Sequence, residues 1–275
     1  MPSGSEQLTI MLPLHQAGRW QRVIEDNLAA MPAKARILIS DATGVDGTLD
    51  QLERAHRHDP RVRFLRPAIS PGWREHCNAL LAEVETPLAA FMPQDDSIAP
   101  GHFEALVGVH NQRPDTAVSF GLVKAQNIET GGGAAMLERL PYRPGERPAW
   151  QEAVSAAFQW NPGIAFRGVV RMSLAQPIAP TDRDRFADLV WVFGMALHGH
   201  LVEVPAVTYL KRMHTTATHP DWDRFSEDER RFFLLNELIR QFPDRPQFVN
   251  CVGAAIWCES ARRMPPPWQD QLRDW

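Results

Sequence analysis

The first hundred residues repeat one arrangement: a short unbroken apolar run, then a stretch whose apolar residues recur every three or four positions. The runs are "LTIMLP" (Leu8–Pro13), "ARILISD" (Ala35–Asp41), "RVRFL" (Arg61–Leu65) and "LAAFM" (Leu88–Met92). Between them, "RWQRVIEDNLAAM" places Trp20, Val23, Ile24, Leu28 and Met31 on one helical face. A polar helix is expected from about Thr48 to His58, and "WREHCNALLAEV" reads as another. Strands separated by helices of that length argue for an α/β fold whose mostly parallel sheet carries helices on both faces. Ligands of such sheets bind outside the carboxyl ends of the strands, where the strand order reverses. Asp41 and Asp95 both follow strand ends of this kind.

Asp95 lies in "FMPQDDSIAP", where it stands beside Asp96. Two adjacent carboxylates repel and gain no partner from the run itself. One reading is a solvated loop in which Asp96 or Ser97 caps a helix beginning near Pro100. The other is a metal site at the end of the fourth strand. Further on, "ETGGGAAMLERLPYRPGERPAW" (129–150) is rich in glycine and proline. It reads as a long flexible loop, either a lid or binding loop or a disordered insertion. The stretch from Asp221 onward is helical in character.

A length of 275 residues suits one large domain or two small ones, and a net charge of −4 argues against nucleic acid as a partner. Three scattered cysteines make no disulfide framework and no zinc pair, so a reducing, cytoplasmic setting is the expectation. The first ten residues lack the basic and apolar regions of a signal peptide, and no apolar stretch is long enough for a transmembrane segment. Peripheral membrane contact and homo-oligomers stay open. Neither GxGxxG nor GxxxxGK[ST] occurs. An acidic site on a nucleotide-binding sheet points instead to a divalent cation, Mn²⁺ or Mg²⁺, bridging a diphosphate.

From about residue 8 to 215 the chain resembles the family 2 glycosyltransferases of the GT-A (Rossmann-like) fold. "LTIMLPLHQ" is similar to their first strand, "ILISDATGVDGT" to their second-strand signature, and "GWREHCNALLAEVETPLAAFMPQDDSIAPGHFEAL" to the stretch from donor-site helix to acidic motif. "FADLVWVFGMALHGHLVEVP" resembles the segment with the catalytic carboxylate, and "YLKRMHTTATH" the closing basic segment. The chain departs from the pattern twice. Pro93 replaces the first aspartate of the usual DxD, and the usual Glu-Asp pair is Ala187-Asp188.

The resemblance implies a nucleotide-sugar half over 1–100, an acceptor half over 101–215 and a helical C-terminal extension over 216–275. It implies an inverting transfer from a nucleotide-diphospho-sugar to a carbohydrate or other hydroxyl-bearing acceptor. Pro13, His15, Asp41, Gly72, Asn78, Asp95, Lys211 and Arg212 would bind the donor. Asp95, Asp96 and His214 would hold the metal, Trp160 and Trp191 would contact the acceptor, and Asp188 would be the catalytic base. A nucleotidyltransferase and a non-catalytic sugar-nucleotide-binding protein are the alternatives. Plainer roles also exist: a surface position for Asp188, a packed or capping position for His214, a packed turn around Trp160, and a core thiol at Cys77.

Overall fold

The computed structural model describes residues 7–67, 71–137, 139–159, 162–181, 187–214, 236–237 and 239–242. Trp160 and nearly all of the expected 216–275 extension lie outside the described residues.

The first half folds as its periodicity requires. β1 (Leu8–Leu14), β2 (Arg36–Asp41), β3 (Val62–Leu65) and β4 (Leu88–Phe91) are parallel, in the order β3-β2-β1-β4. Between them run α1 (Gln21–Ala30), α2 (Thr48–His56) and α3 (Trp73–Ala82). β1 is buried along its length except at half-buried Pro13, as a strand covered on both faces must be. Its pairing with β4 ends at Met11, so Pro13, which has no N–H to donate, falls beyond the last β4 rung. Strand order reverses between β1 and β4, and the crevice outside their carboxyl ends is where the acidic loop begins.

The second half is mixed rather than parallel. After β5 (Ser97–Ile98) and α4 (His102–Gln112) come β6 (Thr116–Asn127), β7 (Ala135–Met136), α5 (Ala149–Gln159), β8 (Val169–Arg171), α6 (Ala187–Ala196) and β9 (His200–Met213). β8 joins the halves, antiparallel to both β4 and β6, while β9 runs parallel to β6 and antiparallel to β5. An all-parallel arrangement therefore holds for the first half, while the second half combines the parallel β6–β9 pair with antiparallel neighbours.

The Gly- and Pro-rich stretch is tied down within the fold. Its β7 pairs with β6. The Glu203 carboxylate accepts from Arg139 at 2.7 Å and from the Leu140 N–H at 3.0 Å. Buried Glu152 accepts from the N–H groups of Gly145 and Arg147 at 2.8 and 3.2 Å, and meets His200 at 2.7 Å.

Candidate active site

The acidic loop is held from three sides. The Gln94 side-chain amide exchanges two hydrogen bonds with the His15 backbone, each 2.8 Å, which closes the end of β1 onto the loop. Asn27, buried on α1, donates to the Asp96 carbonyl at 2.8 Å and accepts from the Ile98 N–H at 3.2 Å. Arg212 donates through Nη1 to the Asp95 carbonyl at 2.8 Å and to the Ser97 hydroxyl at 2.5 Å. A solvated loop would need none of these ties.

The two aspartates face different surroundings. Asp96 is 1% exposed. Its Oδ2 accepts from Arg167 Nε at 3.2 Å and Tyr209 Oη at 2.9 Å, and its Oδ1 from the Arg212 N–H at 2.9 Å. Burial pushes its pKa up, against the pull of Arg167 and the Arg212 amide. Asp95 is half-buried, and its Oδ2 meets His214 Nε2 at 2.9 Å. Arg19 reaches His214 Nδ1 at 2.7 Å and lies 4.5 Å above the Trp20 ring, against which His214 also packs.

At the end of β2, Asp41 is 3% exposed and its Oδ1 accepts from both the N–H and the hydroxyl of Thr43, each at 2.9 Å. Its Oδ2 is buried with no hydrogen-bond partner among the described residues, and so is Nε2 of buried His76. Burial lowers the His76 pKa, and the nearby Asp41 charge only partly offsets it. Gly72 starts α3, its carbonyl accepting from the His76 N–H at 2.9 Å. Asn78 exchanges two hydrogen bonds with the Ile178 backbone, 2.9 and 2.7 Å. Its amide thus braces the chain ahead of α6.

α6 is buried almost all round, from Leu189 through Phe193 and again at Met195 and Ala196, with Asp188 half-buried in its first turn. That is the pattern of a core helix, and Asp188 on it is half-buried rather than a surface aspartate. Asp188 Oδ1 accepts from the Leu189 N–H at 2.9 Å, and no other hydrogen bond engages its carboxylate among the described residues. Its charge acts on Arg167, Lys211 and the Cys77 thiol. Cys77 is fully buried, and burial raises its pKa far out of the reactive range. Trp191 lies beneath this group, 5% exposed. Its indole N–H donates to the Gln176 carbonyl at 2.6 Å, and its ring meets Phe91 and Phe166 edge-on at 5.7 and 5.8 Å.

Sequence reasoning passed over Arg167, Tyr209, Asn27 and His76. Asn27 carried a signal, being a polar residue within the apolar stripe of α1. Arg167 carried little beyond being the basic residue at the end of the otherwise apolar turn Pro162–Arg167.

A mixed sheet with carboxylates gathered at the β1/β4 reversal is the architecture of the GT-A fold. The chain matches the profile described as "Glycosyl transferase family 2" over residues 13–167 and belongs to that family. It is a glycosyltransferase. Among solved structures it is similar to residues 1–349 of TarS from S. aureus in complex with UDP-GlcNAc, with a TM-score of 0.68, 13% identity, and 96% of this chain and 78% of that one covered. It is also similar to the mannosyltransferase PcManGT from Pyrobaculum calidifontis in complex with GDP-Man and Mn²⁺, with a TM-score of 0.55, 14% identity, and coverage of 98% and 79%. No curated protein matches it. No helix among the described residues is long and apolar enough to cross a membrane.

Proposed function

We propose that the protein transfers a sugar, with inversion, from a nucleotide-diphospho-sugar to an acceptor hydroxyl, with Asp188 as the general base. The observation that carries this reading is the Asp188 carboxylate, half-buried on an apolar helix, which among the described residues accepts a hydrogen bond only from the neighbouring Leu189 N–H. An in-line displacement needs a carboxylate in that condition on the acceptor side. Asp188 takes the hydroxyl proton as the acceptor oxygen attacks the anomeric carbon.

Asp41 is the contact for the nucleotide base. A buried oxygen without a partner is costly, and a base N–H placed there would remove the cost. Because Thr43 already occupies Oδ1, one acceptor remains, which suits a base presenting a single ring N–H, such as uracil.

The similar mannosyltransferase in complex with Mn²⁺ suggests a divalent cation, and the residues present fit one brought in with the diphosphate. Asp95 would hold it, since its second oxygen has no bond among the described residues, and one carboxylate plus phosphate oxygens is a sufficient protein contribution for Mg²⁺. His214 would join after releasing Arg19. Asp96 fits poorly, because protein donors occupy both its oxygens. Among the described residues no cluster of three or more His, Cys, Asp or Glu stands ready to hold a metal. When bound, the cation would supply positive charge at the diphosphate. Lys211, half-buried beside the loop, supplies more from the protein.

The test is turnover of sugar nucleotides, read as donor hydrolysis and transfer, in the wild type and in Asp188→Asn. Donor binding with no turnover in the wild type would overturn the catalytic reading in favour of a binding protein.

A further inference from the structure

The cationic side chains around the acidic loop are not equivalent. Arg212 spends Nη1 on the Asp95 carbonyl and the Ser97 hydroxyl, so it shapes the loop. Arg167 engages Asp96 through Nε and the Gly163 carbonyl through Nη1, both at 3.2 Å, which leaves Nη2 with no hydrogen bond among the described residues. The side chain is 16% exposed, so this end is within reach of a ligand.

Its mounting is rigid. A Cβ at the following residue, Gly168, would lie 2.3 Å from the Ser119 carbonyl, so the backbone there can only be glycine against β6. The preceding ring, Phe166, stacks on Phe91 at 5.0 Å and 11°. Lys211 comes two residues after Tyr209 on β9, so both side chains leave the strand on the same face. Tyr209 donates to the same Asp96 oxygen that Arg167 holds. Lys211 lies close enough to Arg167 for that guanidinium to lower its pKa. Two neighbouring cations repel, and a fold that fixes one of them in place has prepared a seat for an anion.

We propose that Arg167, with Lys211 beside it, is the protein's contact for the diphosphate of the donor, and that Asp96 positions this guanidinium. The inference rests on the glycosyl-transfer reading above. In that reaction the bond from the anomeric carbon to the diphosphate oxygen breaks, and its electron pair leaves with the diphosphate. The acceptor oxygen forms the new bond and its proton passes to Asp188. Arg167 meets the charge that develops on the departing oxygen through Nη2, on a guanidinium already fixed by its bonds to Asp96 and Gly163.

Calorimetry of the full chain with uridine diphosphate against uridine, and guanosine diphosphate against guanosine, in chelator and in Mn²⁺, tests the assignment. Arg167→Gln is expected to weaken the preferred diphosphate by about tenfold or more in both conditions and leave its nucleoside unchanged. Arg167→Lys, which keeps the charge, recovers part of the loss and serves as the folded variant should the glutamine chain fail to melt cooperatively. Diphosphate affinity within twofold of wild type in both variants overturns the inference alone. So does an equal loss of nucleoside and diphosphate binding, which marks a structural role. A wild type that binds neither pair overturns the glycosyl-transfer reading, and this inference with it.

Discussion

His214 Nε2 lies 2.9 Å from Asp95 Oδ2, with Arg19 bonded to the other ring nitrogen at 2.7 Å. An arginine only donates, so Nδ1 accepts and the ring hydrogen sits on Nε2, pointing at Asp95. A nitrogen carrying a hydrogen cannot ligate a metal. Free Mn²⁺ should therefore bind weakly to the protein alone and far better with a nucleoside diphosphate, whose phosphate oxygens complete the coordination. Nucleoside diphosphate binding should strengthen with Mn²⁺, and Asp95→Asn should remove most of that enhancement. Calorimetry in metal and in chelator checks both, and equal affinity in the two buffers would refute the role given to Asp95.

Asp96 makes a stability prediction of its own. Asp96→Asn puts an amide, with hydrogens to donate, against three donors at a buried position. Breaking a buried charged group's contacts from one side costs about 3 kcal/mol or more. Chemical denaturation should show a loss of that order, whereas Asp95→Asn, at a half-buried position, should cost much less. Equal losses for the two variants would contradict the central place given to Asp96.

Two other buried histidines bear on acid stability. Burial lowers the pKa of His102 to about 4 and that of His110 to about 4. Both ring nitrogens of His102 are buried, and the Thr208 backbone beside the ring offsets only part of the effect of burial. His110 Nε2 donates to the Val169 carbonyl at 3.0 Å, and Arg171 faces its other nitrogen at 3.4 Å, so a second ring hydrogen would meet a cation. Below the ordinary value near 6.5 the unfolded chain takes up protons that the folded chain refuses. Stability is thus full above about pH 6.5 and declines as the pH falls toward 4. Each histidine accounts for about 2 kcal/mol lost by pH 5. Thermal melts from pH 7.5 to 5 should show the decline, and His102→Leu should flatten its slope. A melting temperature constant over that range would disprove the assignment.

Much of this architecture is legible in the sequence, because burial on both faces of β1, β2 and β4 demands apolar runs that periodicity detects. The mixed second half is not. β8 is three residues long, too short to show a period, and β9 mixes buried with exposed positions: it pairs with β6 along its length with register shifts, and with β5 only at Tyr209 and Leu210. At the candidate site, Asp41, Asp95 and Asp188 could be nominated because their positions follow from strand ends and family pattern. Arg167 and Tyr209 could not, because their roles come from pairing with Asp96 across 71 and 113 residues of chain. No local pattern encodes such a distance. Trp191 is legible as an aromatic near the site but not as a buried one, since its burial depends on Phe91 and Phe166 from other segments.

Asp188 carries the most direct test of the chemistry. Its Oδ1 is fixed by the Leu189 N–H, which orients the carboxylate and leaves Oδ2 to take a proton. Asp188→Asn keeps the size of the side chain and its acceptor for that N–H but removes the basic oxygen. Because the substitution leaves the hydrogen bonds of the proposed donor contacts Asp41, Asp95 and Arg167 in place, donor affinity should stay within a few-fold of wild type. Turnover should fall by about 10²-fold or more, the scale on which loss of a general base is felt. Measuring binding by calorimetry and turnover on the same preparation separates the two effects. Turnover within a few-fold of wild type would remove Asp188 from the mechanism and leave Asp184, which lies outside the described residues, as the next carboxylate to examine. Loss of donor binding together with turnover would instead assign Asp188 to holding the site in shape, through its charge on Arg167 and Lys211.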